Sequence, residues 1–112
     1  MNNLNKQIRD FVKERDWKQF HSPKNLAMAL SVESAEIVEI FQWLTQEQSY
    51  NLDKDKKSHL EQEIGDVMIY LTNLADTFDI DPIKAAKKKI ALNAKKYPID
   101  KSKGLAKKYT EL

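Results

Sequence analysis

Four carboxylates occupy positions on two predicted helices where the apolar pattern calls for a hydrophobic residue. Glu33 and Glu36 lie three residues apart in one helix, and Glu63 and Asp66 repeat that spacing in another. An unpaired carboxylate is costly to bury, so these side chains must meet cations or stay in contact with water. If the two helices pack antiparallel, all four carboxylates can converge on one point. Such a cluster suits Mg²⁺ and the hydrolysis of a phosphoanhydride, because one or two bound ions bridge phosphate oxygens and activate water.

Three other interpretations of the cluster are open on pattern alone. The carboxylates could be surface residues, or they could form ordinary ion pairs with lysines. They could also hold two iron ions, but helical bundles of that kind use a Glu-x-x-His motif on two of their helices. Neither His21 nor His59 stands three residues after a glutamate, so the sequence lacks those nitrogen ligands.

The elements that must position the carboxylates follow from helical periodicity. Apolar residues recur every three or four positions in both central stretches, and Ser22-Pro23 and Asp81-Pro82 are favourable helix starts. The pattern predicts helices at about 3–16, 23–48, 54 or 56 to 78, and 82–96, a connector at 15–21 and a basic tail at 98–112. Four helices with short connections predict an all-α four-helix bundle, formed by a single domain of residues 1–112.

Two features predict surfaces that one copy of the chain does not fill. Gly65 lies inside a helix and costs about 1 kcal/mol relative to alanine, which predicts a close approach of another helix or of a ligand. Several apolar residues also lie outside the main apolar faces of the helices, which predicts a second buried surface, most simply an oligomer interface. These residues are Met28, Val32, Val38 and Met68.

Composition and charge exclude several classes of protein. The chain has no cysteine, which excludes a disulfide framework and thiolate chemistry. No apolar run approaches the length of a bilayer and the N-terminus lacks a signal-peptide pattern, so we expect a cytoplasmic protein. The net charge is +2, but ten lysines lie between positions 84 and 108 against one acid, Asp100. These lysines either form a solvated surface or help to bind an anionic ligand bridged by metal.

Several further motifs accompany the carboxylate spacing. They are R-D-W-x-Q-F-H-x-P-x-N-L at 15–26, F-Q-W at 41–43, D-V-x-I-Y-L at 66–71, N-x-x-x-Y-P at 93–98 and K-Y-T-E-L at 108–112. Together with E-x-x-E and E-x-x-D, separated by 26 residues, they resemble the all-α nucleoside triphosphate pyrophosphohydrolases, the MazG-like superfamily, and in particular its dCTP pyrophosphatase branch. The resemblance covers nearly the whole chain.

The resemblance implies a Mg²⁺-dependent enzyme that cleaves a nucleoside triphosphate between its α- and β-phosphates, releasing a nucleoside monophosphate and pyrophosphate. The implied substrate is dCTP or a modified dCTP-like nucleotide, and the implied role is removal of such nucleotides from the pool. Glu33, Glu36, Glu63 and Asp66 match the metal ligands and catalytic carboxylates. The positions that match the nucleotide site are Trp17, Lys18, Gln19, Phe20, His21, Asn25, Trp43, Tyr70, Asn93, Lys96 and Tyr97.

The resemblance also implies a homodimer or homotetramer with shared active sites, with no membrane and no stable nucleic-acid partner. The chemistry of these residues agrees with a nucleotide site. Trp17 and Trp43 could each stack on a base, which contributes about 1–3 kcal/mol, and Lys96 could act as a point charge on phosphate. One departure is Ile8, which stands at about the place of a nucleotide-contacting histidine in related members. The preferred base is therefore open.

A competing hypothesis is a non-catalytic helical interaction module whose basic tail binds an acidic partner or nucleic acid. It predicts no metal dependence and binding that collapses with salt. A related enzyme of the same metal chemistry, acting on dUTP or phosphoribosyl-ATP, is a further alternative. The acidic pairs lie within the apolar faces of the two helices, which favours an enzyme over an interaction module.

Overall fold

The computed structural model describes residues 2–112, and over this range the chain forms helices and turns without a β-strand. The helices are α1 (Asn2–Glu14), α2 (Pro23–Phe41), α3 (Gln46–Ser49), α4 (Lys54–Thr77), α5 (Pro82–Lys96) and α6 (Ile99–Ser102), with 3₁₀ turns at Lys18–Phe20 and Tyr109–Glu111. The predicted all-α class is confirmed. None of the helices within 2–112 is long and apolar enough to cross a membrane.

Side-chain caps set the starts of the long helices. The Ser22 hydroxyl accepts a hydrogen bond from the Asn25 amide at 3.1 Å at the start of α2. Asp53 Oδ1 accepts from the Lys56 amide at 2.8 Å at the start of α4. Asp81 Oδ1 likewise accepts from the Ile83 amide, at the start of α5. Each cap satisfies an amide that has no partner inside its helix, so local sequence alone fixes these starts.

The predicted second helix is too long, because α2 ends at Phe41 rather than near position 48. The reason is a second helix start that the apolar pattern conceals. Thr45 and Gln48 form a reciprocal capping box, with hydrogen bonds of 3.1 Å to the Gln48 amide and 3.0 Å to the Thr45 amide. The chain therefore turns after α2 and restarts as the short helix α3.

The chain divides into two compact units, the first ending at Ile80 and the second beginning at Asp81. In the first unit, α2 and α4 pack against each other as an antiparallel hairpin, and α1 packs on α4. Few side chains in the described residues are buried. They are Ile8, Leu26, Ile40, Glu63 and Thr72. A core this small is unusual for a unit of this length, because stability depends on the apolar area that folding buries.

Much apolar surface on the outer faces of α2 and α4 is exposed. The side chains of Met28, Val32 and Val38 are 54%, 57% and 60% exposed. On α4, Ile64 and Met68 are also exposed. A Cβ atom added at Gly65 would meet nothing within 4 Å, so the predicted close approach of another helix does not occur within this chain.

The second unit contains α5 and a C-terminal segment that returns to the end of this helix. Gly104 has φ +79°, a left-handed conformation that glycine adopts without steric cost, and it redirects the chain after α6. The Tyr109 ring then packs edge-on against Tyr97, with the centroids 6.2 Å apart. Lys96 Nζ lies 4.8 Å from the centroid of the same ring. The tail, which the sequence predicts to be poorly patterned, is therefore anchored through an aromatic side chain.

One ion pair joins α1 to α4. Arg9 Nε donates to Asp76 Oδ2 at 2.8 Å, and Arg9 Nη2 donates to Asp76 Oδ1, so the contact is bidentate. These hydrogen bonds lower the pKa of the Asp76 carboxyl below its usual value, against the opposing effect of partial burial. Because Arg9 is largely exposed, the ion pair contributes little to the free energy of folding. Its bidentate geometry instead fixes the register of α1 on α4.

We expect Asp76→Asn to destabilise the protein at neutral pH and to weaken its sensitivity to acid. The carboxyl has a lowered pKa in the folded state, so its stabilisation is present above the usual aspartate pKa of about 3.9 and is lost as the pH falls further. Thermal unfolding between pH 3 and pH 7 would show a midpoint a few degrees lower for the variant at pH 7, with the two curves converging in acid.

Asp10→Asn is the matched control, because Asp10 pairs only with Lys6 of its own helix, at 3.0 Å, and both side chains are exposed. It should stay close to the parent at every pH. An Asp76→Asn variant that follows the parent curve at neutral pH would contradict the proposed contribution.

Candidate functional site

Three of the four predicted carboxylates meet between α2 and α4. One oxygen from each of Glu33, Glu36 and Glu63 lies within 4.8 Å of the other two. Glu63 is buried, and the two residues on α2 are half-buried. The i, i+3 spacing on antiparallel helices brings them together, so the predicted convergence is confirmed for these three and the surface interpretation is wrong.

Asp66 lies beside the three carboxylates rather than among them. Its negative charge contributes to raising the pKa of Glu33, so the two side chains are near each other. However, Asp66 also lines a neighbouring cavity. The fourth predicted residue therefore connects the acidic cluster to an open space next to it.

Burial and like charge act together on Glu33. Desolvation is the largest effect, followed by the close approach of the Glu63 and Glu36 carboxyl groups, and together with the nearby negative charges these raise the pKa of Glu33 to about 7. A carboxyl with such a pKa carries a proton under mildly acidic conditions and loses it as the pH rises or as a cation binds.

The cluster has oxygen atoms left over for a ligand. Glu33 Oε2 and Glu63 Oε2 are buried and have no hydrogen-bond partner. The other oxygen of Glu63 lies 3.3 Å from His59 Nε2, a contact one helical turn away that the sequence analysis missed. Across residues 2–112, no lysine or arginine pairs with the cluster, so the ion-pair interpretation is wrong for this range. Three carboxylates with unpaired oxygens could hold a divalent cation.

A cavity of about 380 Å³ opens next to the cluster, between α1 and α4. Asp66, Ile69, Tyr70 and Asn73 line it from one face of α4, and residues of α1 line the opposite side. Trp17 and His21 from the connector complete the wall. The remaining lining residues are Leu4, Gln7, Ile8, Phe11 and Val12.

A row of ring contacts holds the connector in place. Arg15 lies over the Phe11 ring, 3.7 Å from its centroid. Phe11 meets the edge of Trp17 at 5.6 Å between centroids, and Trp17 meets His21 at 6.3 Å. His21 Nδ1 in turn lies 3.3 Å from Asn73 Nδ2 on α4. The row places a half-exposed indole against the cavity, where it can stack on a planar ligand.

Of the predicted nucleotide-site residues, the structure brings Trp17, His21 and Tyr70 to the cavity. Gln19 and Asn25 instead stabilise the connector, because Gln19 Nε2 donates to the Asp16 carbonyl and Asn25 Nδ2 donates to the Phe20 carbonyl, each at 3.0 Å. The remaining predicted positions of this first unit do not line the cavity. They are Lys18, Phe20 and Trp43, and Trp43 is 87% exposed.

Asn93, Lys96 and Tyr97 lie in the second unit, at the end of α5. The contacts given above place Tyr109 against Lys96 and Tyr97. Their assignment to phosphate or sugar stays a prediction.

Sequence analysis missed Asn73 and, apart from Ile8, the α1 side of the cavity. Asn73 could have been found, because it continues the line of Asp66 and Tyr70 at helical spacing. The periodicity of α1 gives no such signal, since Leu4, Ile8 and Phe11 look like an ordinary packing face, and only the resemblance pointed to this helix, at Ile8.

The chain is similar to known proteins in sequence and in fold. The MazG-like family model matches residues 28–112. The dCTP pyrophosphatase 1 proteins of Rattus norvegicus and Homo sapiens are 39% and 38% identical over 105 residues, which cover 92% of this chain and 62% of each relative. The chain therefore spans less than two thirds of the length of these curated relatives. A pyrophosphatase crystal structure from Archaeoglobus fulgidus matches with a TM-score of 0.82 and 42% identity, over 88% of this chain and 92% of that one.

We expect Glu33→Gln to stabilise the cation-free protein and to remove its response to a divalent cation. The raised pKa means that folding becomes less favourable as the pH climbs from about 4.5 to 7, because the charged form is disfavoured only in the folded state. The amide does not carry that charge. In EDTA, thermal unfolding should give a higher midpoint for the variant at pH 8 and similar midpoints at pH 4.5.

The same change in an exposed residue of α4, Glu61→Gln, serves as control and should leave the pH profile and the cation response unchanged. The expectation fails if Glu33→Gln is less stable than the parent at pH 8 without cation.

Proposed function

Because this chain belongs to the MazG-like family, we propose that it is a nucleoside triphosphate pyrophosphohydrolase. The observation that carries the proposal is the position of Asp66, which lies beside the carboxylate cluster and also lines the aromatic-walled cavity. A nucleotide has the same two halves, an anionic phosphate chain and a planar base. The curated relatives named dCTP pyrophosphatase 1 support dCTP, or a dCTP-like nucleotide, as the substrate.

The donors in the cluster fit Mg²⁺. All are carboxylate oxygens, which hard divalent cations prefer, and the two buried oxygens without hydrogen-bond partners on Glu33 and Glu63 are available to a cation. We assign Glu33, Glu36, Glu63 and Asp66 as its ligands. When bound, the ion neutralises charge on the phosphates and makes a water molecule a better nucleophile.

The protein's own residues provide binding and orientation. Trp17 and Tyr70 flank the base in the cavity, and His21 lies beside them. A carboxylate of the cluster accepts a proton from the attacking water, whose oxygen forms a bond to one of the two phosphorus atoms of the α–β anhydride. The bond from that phosphorus to the bridging oxygen breaks, and the bridging oxygen leaves with the other phosphate group. The products are a nucleoside monophosphate and pyrophosphate. Phosphoryl transfer of this kind depends mainly on positioning and electrostatics, so no covalent nucleophile is needed.

We also propose, from the sequence motif alone, that Asn93, Lys96 and Tyr97 at the end of α5 contact the sugar or phosphates of the substrate. Lysines outnumber acids throughout this unit, which favours the approach of a polyanion.

The test of the reaction is pyrophosphate release from each common NTP and dNTP, with Mg²⁺ and with EDTA. We expect Mg²⁺-dependent release from dCTP, and a loss of about 100-fold or more in Glu36→Gln, because a ligand of the cation is neutralised. Glu61→Gln is the control of the same chemistry outside the cluster and should retain activity. If a folded sample releases pyrophosphate from no nucleotide, the enzyme assignment is wrong and salt-sensitive binding to the lysine-rich unit becomes the alternative.

We further propose that the chain assembles as a homodimer or homotetramer with shared sites. The support is the exposed apolar side chains of α2 and α4, which include Met28, Val32 and Met68, because exposed apolar patches mark surfaces where chains associate.

Light scattering should give a mass of at least two chains. Val32→Asp should shift the protein to a monomer or reduce its folded fraction, because a charge would replace an apolar contact. Gln46→Asp, a similar charge placed on the exposed helix α3, should leave the mass unchanged. A parent protein that is a fully active monomer would contradict this proposal.

A further inference from the structure

We propose that Asn73 selects the base, by accepting a hydrogen bond from an exocyclic amino group of the nucleotide while its own amide nitrogen holds His21. This inference rests on the proposed function and adds to it the residue that discriminates between bases. Asn73 favours nucleotides whose base carries an amino group, as cytosine does at position 4, over nucleotides whose base carries a carbonyl there.

The placement of Asn73 suits the base end of a nucleotide. It lies seven residues beyond Asp66 on one face of α4, which corresponds to about 10 Å along the helix axis. Both residues line the same cavity, and Tyr70 lies between them. With the phosphates at the carboxylate cluster, that distance leaves room for a sugar, so the base reaches Asn73.

The cavity wall contains few polar groups, and pockets of this kind orient their ligands through such groups. Gln7 and Asn73 are the two carboxamides among its lining residues. Gln7 lies on an exposed part of α1 and makes no side-chain hydrogen bond within the described chain. Its amide can rotate to present either a donor or an acceptor, so Gln7 by itself does not distinguish an amino group from a carbonyl.

Asn73 is held in one orientation by His21. Asn73 Nδ2 faces His21 Nδ1 at 3.3 Å. Because an amide nitrogen can only donate, we assign to His21 the tautomer that carries its ring proton on Nε2 and accepts at Nδ1. His21 is itself fixed by its edge contact with Trp17. The amide oxygen Oδ1 is then the group that Asn73 offers to a ligand. An acceptor oxygen attracts an amino group and repels a carbonyl oxygen.

The pair dCTP and dUTP tests this inference, because cytosine has an amino group at position 4 where uracil has a carbonyl. The two bases also differ at N3, which is an acceptor in cytosine and carries a proton in uracil. We expect the parent protein to prefer dCTP by about 10- to 100-fold in kcat/KM, and Asn73→Leu to bring the ratio to within about threefold. Asn73→Asp keeps the shape and an acceptor oxygen, so it should retain a preference for dCTP. Asn51→Leu makes the same change on an exposed loop and should leave the ratio at the parent value.

Two further measurements separate base selection from catalysis. Binding of the products dCMP and dUMP in EDTA should show the same preference, and Asn73→Leu should abolish it. The ¹⁵N resonances of His21 should report a proton on Nε2 in the parent and a mixture of tautomers in Asn73→Leu, because the amide donor is gone.

The outcomes distinguish this inference from the function on which it rests. A parent protein that releases pyrophosphate from no nucleotide overturns the proposed function. A protein that hydrolyses both nucleotides equally, prefers dUTP, or keeps its preference for dCTP in Asn73→Leu retains the function and overturns the role of Asn73.

Discussion

The rest of the first unit depends on one constraint, which is that three carboxylates lie close together on the packing faces of two helices. Glu33 and Glu36 on α2 and Glu63 on α4 repel one another when ionised, and burial raises the pKa of Glu33 still further. Close packing of apolar residues such as Leu26 and Ile40 must offset that repulsion elsewhere in the hairpin. The arrangement therefore lowers the stability of the fold, as is common at functional sites.

The cavity is built with equally few stabilising contacts. Its α1 side is held by the buried Ile8 and by the ion pair between Arg9 and Asp76. Its connector wall is held by contacts of Trp17 with Phe11 and His21. Regions with so little buried apolar surface open at a lower free energy than a core does, which suits an element that must admit and release a ligand. The same ring contacts set the orientation of the polar groups that face the ligand.

Membership of the MazG-like family and the exposed apolar faces of α2 and α4 are consistent with each other. A helical hairpin whose charged residues occupy the inner faces has less apolar area to bury within one chain. The outer faces then carry the remaining apolar residues, such as Val32 and Met68, and Gly65 leaves open space beside them. In this way the chemistry of the site and the shape of the surface follow from the same distribution of residues along two helices.

The sequence by itself determined the helical class, the helix starts at Ser22 and Asp81, and the carboxylates that meet, because periodicity and capping are local properties of a chain. It missed the end of α2, since the capping box at Thr45 interrupts an apolar pattern that continues past it. Only the tertiary structure decided that Asp66 faces the cavity, that α1 supplies the opposite wall, and that Asn73 contacts His21 across 52 positions of sequence. Those contacts depend on how separate helices pack, and side-chain spacing within one helix carries no information about which distant residue will lie opposite.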